Sequence, residues 1–97
     1  MKYIVDYGSK FKSEYKRLKK RGKDLDKLHA VIEKLANKEN LDSKYMNHKL
    51  SDDKIYNGCY DCHIEPNWIL IYKYNEKDKR LILYATGSHN DLFKNKY

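Results

Sequence analysis

Residues 60–73 read Tyr60-Asp61-Cys62-His63-Ile64-Glu65-Pro66-Asn67-Trp68-Ile69-Leu70-Ile71-Tyr72-Lys73, and this stretch decides the fold. Two runs of aromatic and branched apolar residues, of the kind enriched in strands, flank Pro66-Asn67, a pair suited to a tight turn. So short a connection joins antiparallel strands, because a parallel pair needs a crossover of about a dozen residues or more. Downstream, the polar run from Glu76 to Lys79 makes a second turn before residues 80–88, which read as the next strand. Upstream, residues 48–50 and 58–65 complete a meander.

Before Leu41 the period changes. Leu25, Leu28, Val31, Ile32, Leu35 and Ala36 recur at helical spacing, with Asp24 placed to cap the helix start. Phe11, Tyr15 and Leu18 mark an earlier helix, for which Ser9 is the expected N-cap and Gly22 the stop. At the N-terminus, Tyr3, Val5 and Tyr7 alternate with Lys2, Ile4 and Asp6, the period of a strand. The expectation is an α+β fold: an N-terminal strand, two antiparallel helices joined by about three residues, then an antiparallel meander of roughly three or four strands, all in one sheet. The helices should cover one sheet face and leave the other partly open to a ligand. A short helical turn and a loose basic end are expected over residues 90–97. With no repeat or linker, residues 1–97 read as a single domain.

Of the 97 residues, 21 are Lys or Arg and 14 are Asp or Glu, a net charge of +7 that favours an anionic partner. The surplus is uneven: residues 1–40 hold twelve basic and six acidic side chains, residues 41–97 nine and eight. Lys10, Lys12, Lys16, Arg17, Lys19, Lys20, Arg21 and Lys23 crowd into one segment opposed only by Glu14. That tract reads either as a solvated helix face or as a surface for a phosphate backbone, whose affinity is salt-dependent and blind to sequence. Ten tyrosines and regular apolar spacing argue against disorder, although 36% of residues are charged. No apolar run approaches the ~18 residues of a membrane span, and the first residues lack a signal peptide's apolar stretch. The expectation is a cytoplasmic protein without membrane contact.

Cys59 and Cys62 spell C-x-x-C. Residues three apart on a strand point to opposite faces, and no second pair completes a zinc site, so no metal or redox role is assigned and Cys62 reads as a small core residue. The same alternation puts Cys59, Asp61, His63 and Glu65 on one face and Tyr60, Cys62 and Ile64 on the other. The Cys62 and Ile64 face is apolar, so the Asp61 and His63 face should be the accessible one. There a carboxylate beside an imidazole orients it and favours its protonated form, the tuning that acid–base chemistry near neutrality needs. His48 and His89 flank the strands, whereas His29 borders the helical stripe. The three histidines of the strand half leave two readings open. One is a zinc site, although none has close ligand spacing. The other is metal-free RNA cleavage, in which one imidazole deprotonates the ribose 2′-hydroxyl, another protonates the leaving 5′-oxygen, and a cation offsets the phosphate charge.

Asn47-His48-Lys49-Leu50, the 60–73 stretch and Thr86-Gly87-Ser88-His89-Asn90-Asp91-Leu92-Phe93 appear in that order. With these blocks the chain resembles, essentially end to end, the YafQ-type mRNA interferase toxins of the RelE/ParE superfamily. The resemblance implies a RelE-like fold, ribosome-dependent cleavage of translated mRNA without a cofactor, and neutralisation by a cognate antitoxin in a toxin–antitoxin hetero-oligomer. Carried over residue by residue, the histidine of the family's H-x-L segment is His48, and the acid and histidine of its D-x-H-I strand are Asp61 and His63. The closing G-S-H-x-x-L-F segment contributes His89 and Phe93. The family's P-D-W turn has Asp where this chain has Asn67, which keeps hydrogen bonding but cannot act as a base or hold an imidazolium by charge.

The resemblance further implies that His48, His63 and His89 meet on the concave sheet surface around mRNA. His63 or His48 would then be the base and His89 the acid, with Lys73 or Arg80 offsetting phosphate charge. Phe93 reads either as a base stacker or as an apolar plug, and Trp68 as a packing residue beside Leu70 and Tyr72. The basic helical tract would anchor the protein on ribosomal RNA. Two other outcomes are consistent with the superfamily: a ParE-like toxin that binds DNA gyrase and cleaves nothing, and a weakened RNA-binding relative.

Overall fold

A computed structural model describes residues 2–50 and 55–93. Its elements are β1 (Ile4–Tyr7), α1 (Ser9–Lys20), α2 (Leu25–Ala36), a 3-10 turn (Ser43–Tyr45), β2 (His48–Leu50), β3 (Cys59–Glu65), β4 (Trp68–Asn75), β5 (Arg80–Gly87) and α3 (His89–Phe93). β2 to β5 form an antiparallel meander, and β1 joins it in parallel beside β5, so the sheet order is β1-β5-β4-β3-β2. The class is the expected α+β. The parallel edge is the new element, because Ile4 to Tyr7 lie against Arg80 to Leu83, far away in sequence. Among the described residues, no helix is long and apolar enough to cross a membrane. The helical turn expected near the C-terminus is α3, and residues 94–97 lie outside the described residues.

The start of α1 differs from expectation. Gly8, not Ser9, is the N-cap, and no side chain caps the helix. The reason is that β1 runs straight into α1: the Gly8 N–H still donates to the Leu83 carbonyl of β5 at 2.9 Å while the chain turns. A Cβ at this position would come within 2.8 Å of that same oxygen, so the close approach requires glycine. α1 stops at Gly22 as expected. There φ is +75°, and the N–H groups of Gly22 and Lys23 return to the carbonyls of Lys19 and Leu18, closing a Schellman motif. The Asp24 carboxylate then accepts from the Asp26 N–H at 3.2 Å and opens α2.

The helices bring Phe11, Leu18, Leu28, Val31 and Leu35 into one core with Cys62, Trp68, Leu70, Tyr72, Leu81 and Leu83 of the sheet. Burying each large apolar side chain there contributes about 1.5–3 kcal/mol. Trp68 packs with Leu70 and Tyr72 as expected, and its indole N–H donates to the Thr86 hydroxyl at 2.9 Å. The opposite face is less open than expected. Ile69, Ile71, Ala85 and Cys59 form a second, smaller core closed by Tyr56, Leu92 and Phe93. β4 is apolar at consecutive positions, so it supplies apolar side chains to both faces.

β3 also departs from strict alternation. His63 pairs with Ile69 but Glu65 pairs with Trp68, so a bulge inserts one residue between them. The bulge turns Glu65 away from the Asp61 and His63 face toward the helices, where it meets Lys23 and Lys27, each at 3.0 Å.

Candidate active site on the second sheet face

His48 opens β2 directly opposite Asp61 of β3. Antiparallel partners at this spacing bring their side chains together, and His48 Nδ1 lies 2.9 Å from Asp61 Oδ1. The Nδ1–H is aligned on the Met46 carbonyl at 3.1 Å. Asp61 Oδ1 is therefore buried beside an imidazole yet has no aligned donor among the described residues. The accessible acid expected here is instead 4% exposed, because its neighbours on this face, Cys59 and Ile71, belong to the second core. Burial pushes the Asp61 carboxyl above its ordinary value of 3.8, while His48, His63 and His89 each pull it back. Three imidazoles from distant parts of the chain are thus within electrostatic reach of one carboxylate.

His63 follows Asp61 two residues along β3 and is half-buried. Its Nδ1 lies 3.3 Å from the Pro66 carbonyl. A carbonyl only accepts, so Nδ1 carries the hydrogen and Nε2 of the neutral ring keeps the lone pair. His89 begins α3, where its main-chain N–H donates to Asn67 Oδ1 at 3.1 Å. The Ser88 hydroxyl accepts from the Asp91 N–H at 3.0 Å and fixes the same turn. Asn67 therefore positions His89 through a carbonyl oxygen, a task that needs no charge. Phe93 is buried in the second core as a plug, its ring 4.8 Å from that of His89 and 5.7 Å from that of Tyr56.

Of the cations proposed to face phosphate, Lys73 is exposed two positions beyond Ile71 on the same side of β4. Arg80 does not join it: its guanidinium is held by Asp6 at 2.8 Å at the far end of β5 from His89. Within the basic tract, Lys12, Lys16, Arg17, Lys19, Lys20 and Arg21 are exposed. Lys23 is instead a structural bridge, bonded to Glu65 and lying 5.3 Å above the Trp68 ring. Lys10 reaches the second core, donating to the Tyr56 hydroxyl at 3.1 Å, a bond that raises its amine pKa.

Cys59 and Cys62 are free and buried, and they belong to different cores. Burial pushes the Cys62 thiol up to about 12, where it is not nucleophilic. His29 is exposed, with Nε2 2.7 Å from the Tyr15 hydroxyl, and takes no part in the histidine group. Among the described residues, no group of three or more His, Cys, Asp or Glu side chains is arranged to hold a metal ion. Two further buried residues, Tyr56 and Glu14, are not among the residues expected from sequence. Tyr56 lies in a turn with no pattern, whereas Glu14 carries a signal: it falls between Phe11 and Leu18 at the helical spacing of the buried stripe.

Residues 3–94 match the family model described as "Bacterial toxin of type II toxin-antitoxin system, YafQ". The chain is 38% identical over 90 residues to the mRNA interferase toxin YafQ of Escherichia coli (strain B / BL21-DE3), covering 92% of this chain and 94% of that protein. Among solved structures, a metal-bound toxin from Helicobacter pylori superposes with a TM-score of 0.86 at 32% identity, covering 94% of this chain and 99% of that one. The E. coli DinJ-YafQ toxin-antitoxin complex matches with a TM-score of 0.83 at 35% identity, covering 96% and 99%.

Proposed function

The chain belongs to the YafQ family of bacterial toxins of type II toxin–antitoxin systems, and from that membership we propose that it is an mRNA interferase. It is an endoribonuclease that cuts translated mRNA on the ribosome and is silenced by a cognate antitoxin. What supports this reading is that His48 lies 2.9 Å from the buried Asp61 and that His63 and His89 are within electrostatic reach of the same carboxylate. A toxin that acted only by binding a protein would have no need of proton-transfer groups at these positions.

The local bonding supports a division of roles. His63, with Nδ1–H directed to Pro66, offers Nε2 as the base that takes the proton from a ribose 2′-hydroxyl. The 2′-oxygen attacks phosphorus and the bond from phosphorus to the 5′-oxygen breaks. His89 gives its proton to that leaving oxygen, leaving a 2′,3′-cyclic phosphate and a free 5′-hydroxyl. His48, backed by Asp61, and the exposed Lys73 offset the charge that builds on the phosphate. Asn67 supports full activity in this reading, since its bond to the His89 N–H requires only a carbonyl oxygen. The exposed basic face of α1 anchors the protein on ribosomal RNA, and the antitoxin covers the basic surface with an acidic segment.

Primer extension on mRNA bound to translating ribosomes tests the proposal. Wild-type protein should leave discrete cut sites, and His89→Ala should reduce them by about 100-fold or more. Growth arrest that persists undiminished in His89→Ala, with no cleavage by either protein, would sink the nuclease reading.

A further inference from the structure

β2 pairs with β3 only at Cys59 to Asp61, so among the described residues the edge of β3 away from β4 has no strand beside it from Cys62 to Glu65. The 3-10 turn Ser43–Tyr45 lies near that edge, and between the turn, α2 and the end of β3 is a cavity of about 670 Å³. Tyr45, Met46 and Ile64 supply its apolar wall, Lys27 and Lys44 its basic side, and His63 lines it from the catalytic face. The residue proposed as proton acceptor is therefore part of the cavity's lining.

Three features of the wall call for an occupant. Met46 is 59% exposed, so the core does not account for a methionine at this position. Its backbone sits in the left-handed region at φ +48°, a conformation unfavourable to a residue that carries a side chain. Its carbonyl nevertheless accepts from His48, so the same residue ties the cavity to the catalytic group. Lys44 Nζ lies 5.2 Å from the Tyr45 ring centre and has no carboxylate partner among the described residues. Lys27 is paired with Glu65, which also receives Lys23, and Asp24 lies within electrostatic reach of Lys27, so this side of the wall is charge-balanced and Lys44 supplies its free charge. An apolar wall with an aromatic ring, beside a lysine that has no carboxylate partner among the described residues, is the chemistry that holds a nucleobase and its phosphate.

We infer that this cavity is a nucleotide subsite, taking the base of the RNA residue next to the scissile bond against Tyr45 and Met46, with its phosphate at Lys44. The inference rests on the ribonuclease reading and adds to it a source of sequence preference outside the histidine group. An RNA strand is favoured over a peptide because the cavity opens beside His63 and its free charge is cationic.

The test uses the ¹⁵N- and methyl-labelled protein titrated with short 2′-O-methyl oligoribonucleotides, which cannot be cleaved, followed by cut-site mapping of variants. The Met46 methyl and the Lys44 and Tyr45 amides should shift together with His63. Lys44→Glu and Met46→Ala, both at exposed positions, should each weaken oligonucleotide binding about tenfold and redistribute cut sites. Lys44→Arg should restore both binding and the wild-type cut-site map. Shifts confined to His63 and His89, or a cut-site map unchanged in both variants, would overturn the subsite while leaving the nuclease intact. A wild-type protein that cuts no RNA would overturn the nuclease reading instead, and the titration would still decide what fills the cavity. Shifts at Met46 caused by an antitoxin peptide and not by RNA would assign the cavity to that partner and reject the proposal.

Discussion

Leu70 and Ile71 are neighbours on β4, yet they serve different halves of the molecule. Leu70 points into the helix-covered core, and Ile71 lies beside Asp61 on the other face. On the helix side the apolar layer is continuous, and its polar groups are paired internally, as with Trp68 to Thr86 and the Tyr74 hydroxyl to the Leu35 carbonyl at 2.6 Å. On the other side a small core holds a carboxylate oxygen that has no aligned donor among the described residues, with three histidines within electrostatic reach of it. An unsatisfied buried polar group costs about 1–3 kcal/mol. One face thus supplies stability that lets the other keep a buried carboxylate unfavourable to folding, beside the histidines proposed for proton transfer.

If the two faces are separable in this way, substitutions on them should fail differently. The largest effect belongs to His63→Ala, which should slow mRNA cleavage about 100-fold or more while shifting the thermal midpoint by only a few degrees. Leu70→Ala should do the reverse. It removes buried methyl groups from a fully enclosed site and should cost about 2–5 kcal/mol of stability, read by denaturant unfolding, with activity per folded molecule retained. A Leu70→Ala protein that stays folded but loses cleavage would break the comparison. Asn67 sharpens it at smaller scale. Asn67→Ala deprives the His89 N–H of its acceptor and should cost roughly 1 kcal/mol, read as a several-fold drop in cleavage. Asn67→Asp keeps the acceptor and should stay within about threefold of wild type. A large gain in Asn67→Asp would mean that the charge, and not the bond, matters at this position.

Much of this division was legible in residues 60–73. Alternation separated Asp61 and His63 from Cys62 and Ile64, and the Pro66-Asn67 turn set the hairpin. What alternation could not show was where it stops: the bulge after His63 adds a single residue, leaves no compositional trace, and sends Glu65 to Lys23 and Lys27. Long-range pairing was equally hidden. Nothing local to Ile4–Tyr7 says that it will lie parallel to β5, and that placement is what gives Arg80 its partner in Asp6 and removes it from the histidines. Cys59, Ile69 and Ile71 looked like strand residues of either face. Only the docking of α3 and Tyr56 makes them a second core, which is why Asp61 proved buried where an exposed acid was expected.

Glu14 marks the seam between the two faces and offers the finest test. β1 covers β5 only as far as Leu83, so among the described residues the later part of β5 has no strand on the side away from β4. The Glu14 carboxylate takes that place, accepting the Thr86 N–H at 2.9 Å from the buried stripe of α1. Desolvation outweighs the Thr86 bond and the nearby Lys10 and Arg17, and lifts the carboxyl above its ordinary value of 4.5. A folded value raised above the unfolded one means that the group favours folding most below 4.5 and loses that contribution as pH rises through the folded value. Ionised Glu14 therefore weakens the fold at neutral pH relative to its protonated form. Glu14→Gln keeps an acceptor for Thr86 without the charge, so it should match or exceed wild-type stability near pH 7, and that advantage should shrink toward about pH 4. Glu14→Ala, which leaves the Thr86 N–H unpaired, should be less stable at both. Thermal midpoints across this range decide the matter: an advantage of Glu14→Gln that grows as the pH falls would show that the ionised carboxylate is favoured, and that the seam is held by charge and not by a hydrogen-bond acceptor.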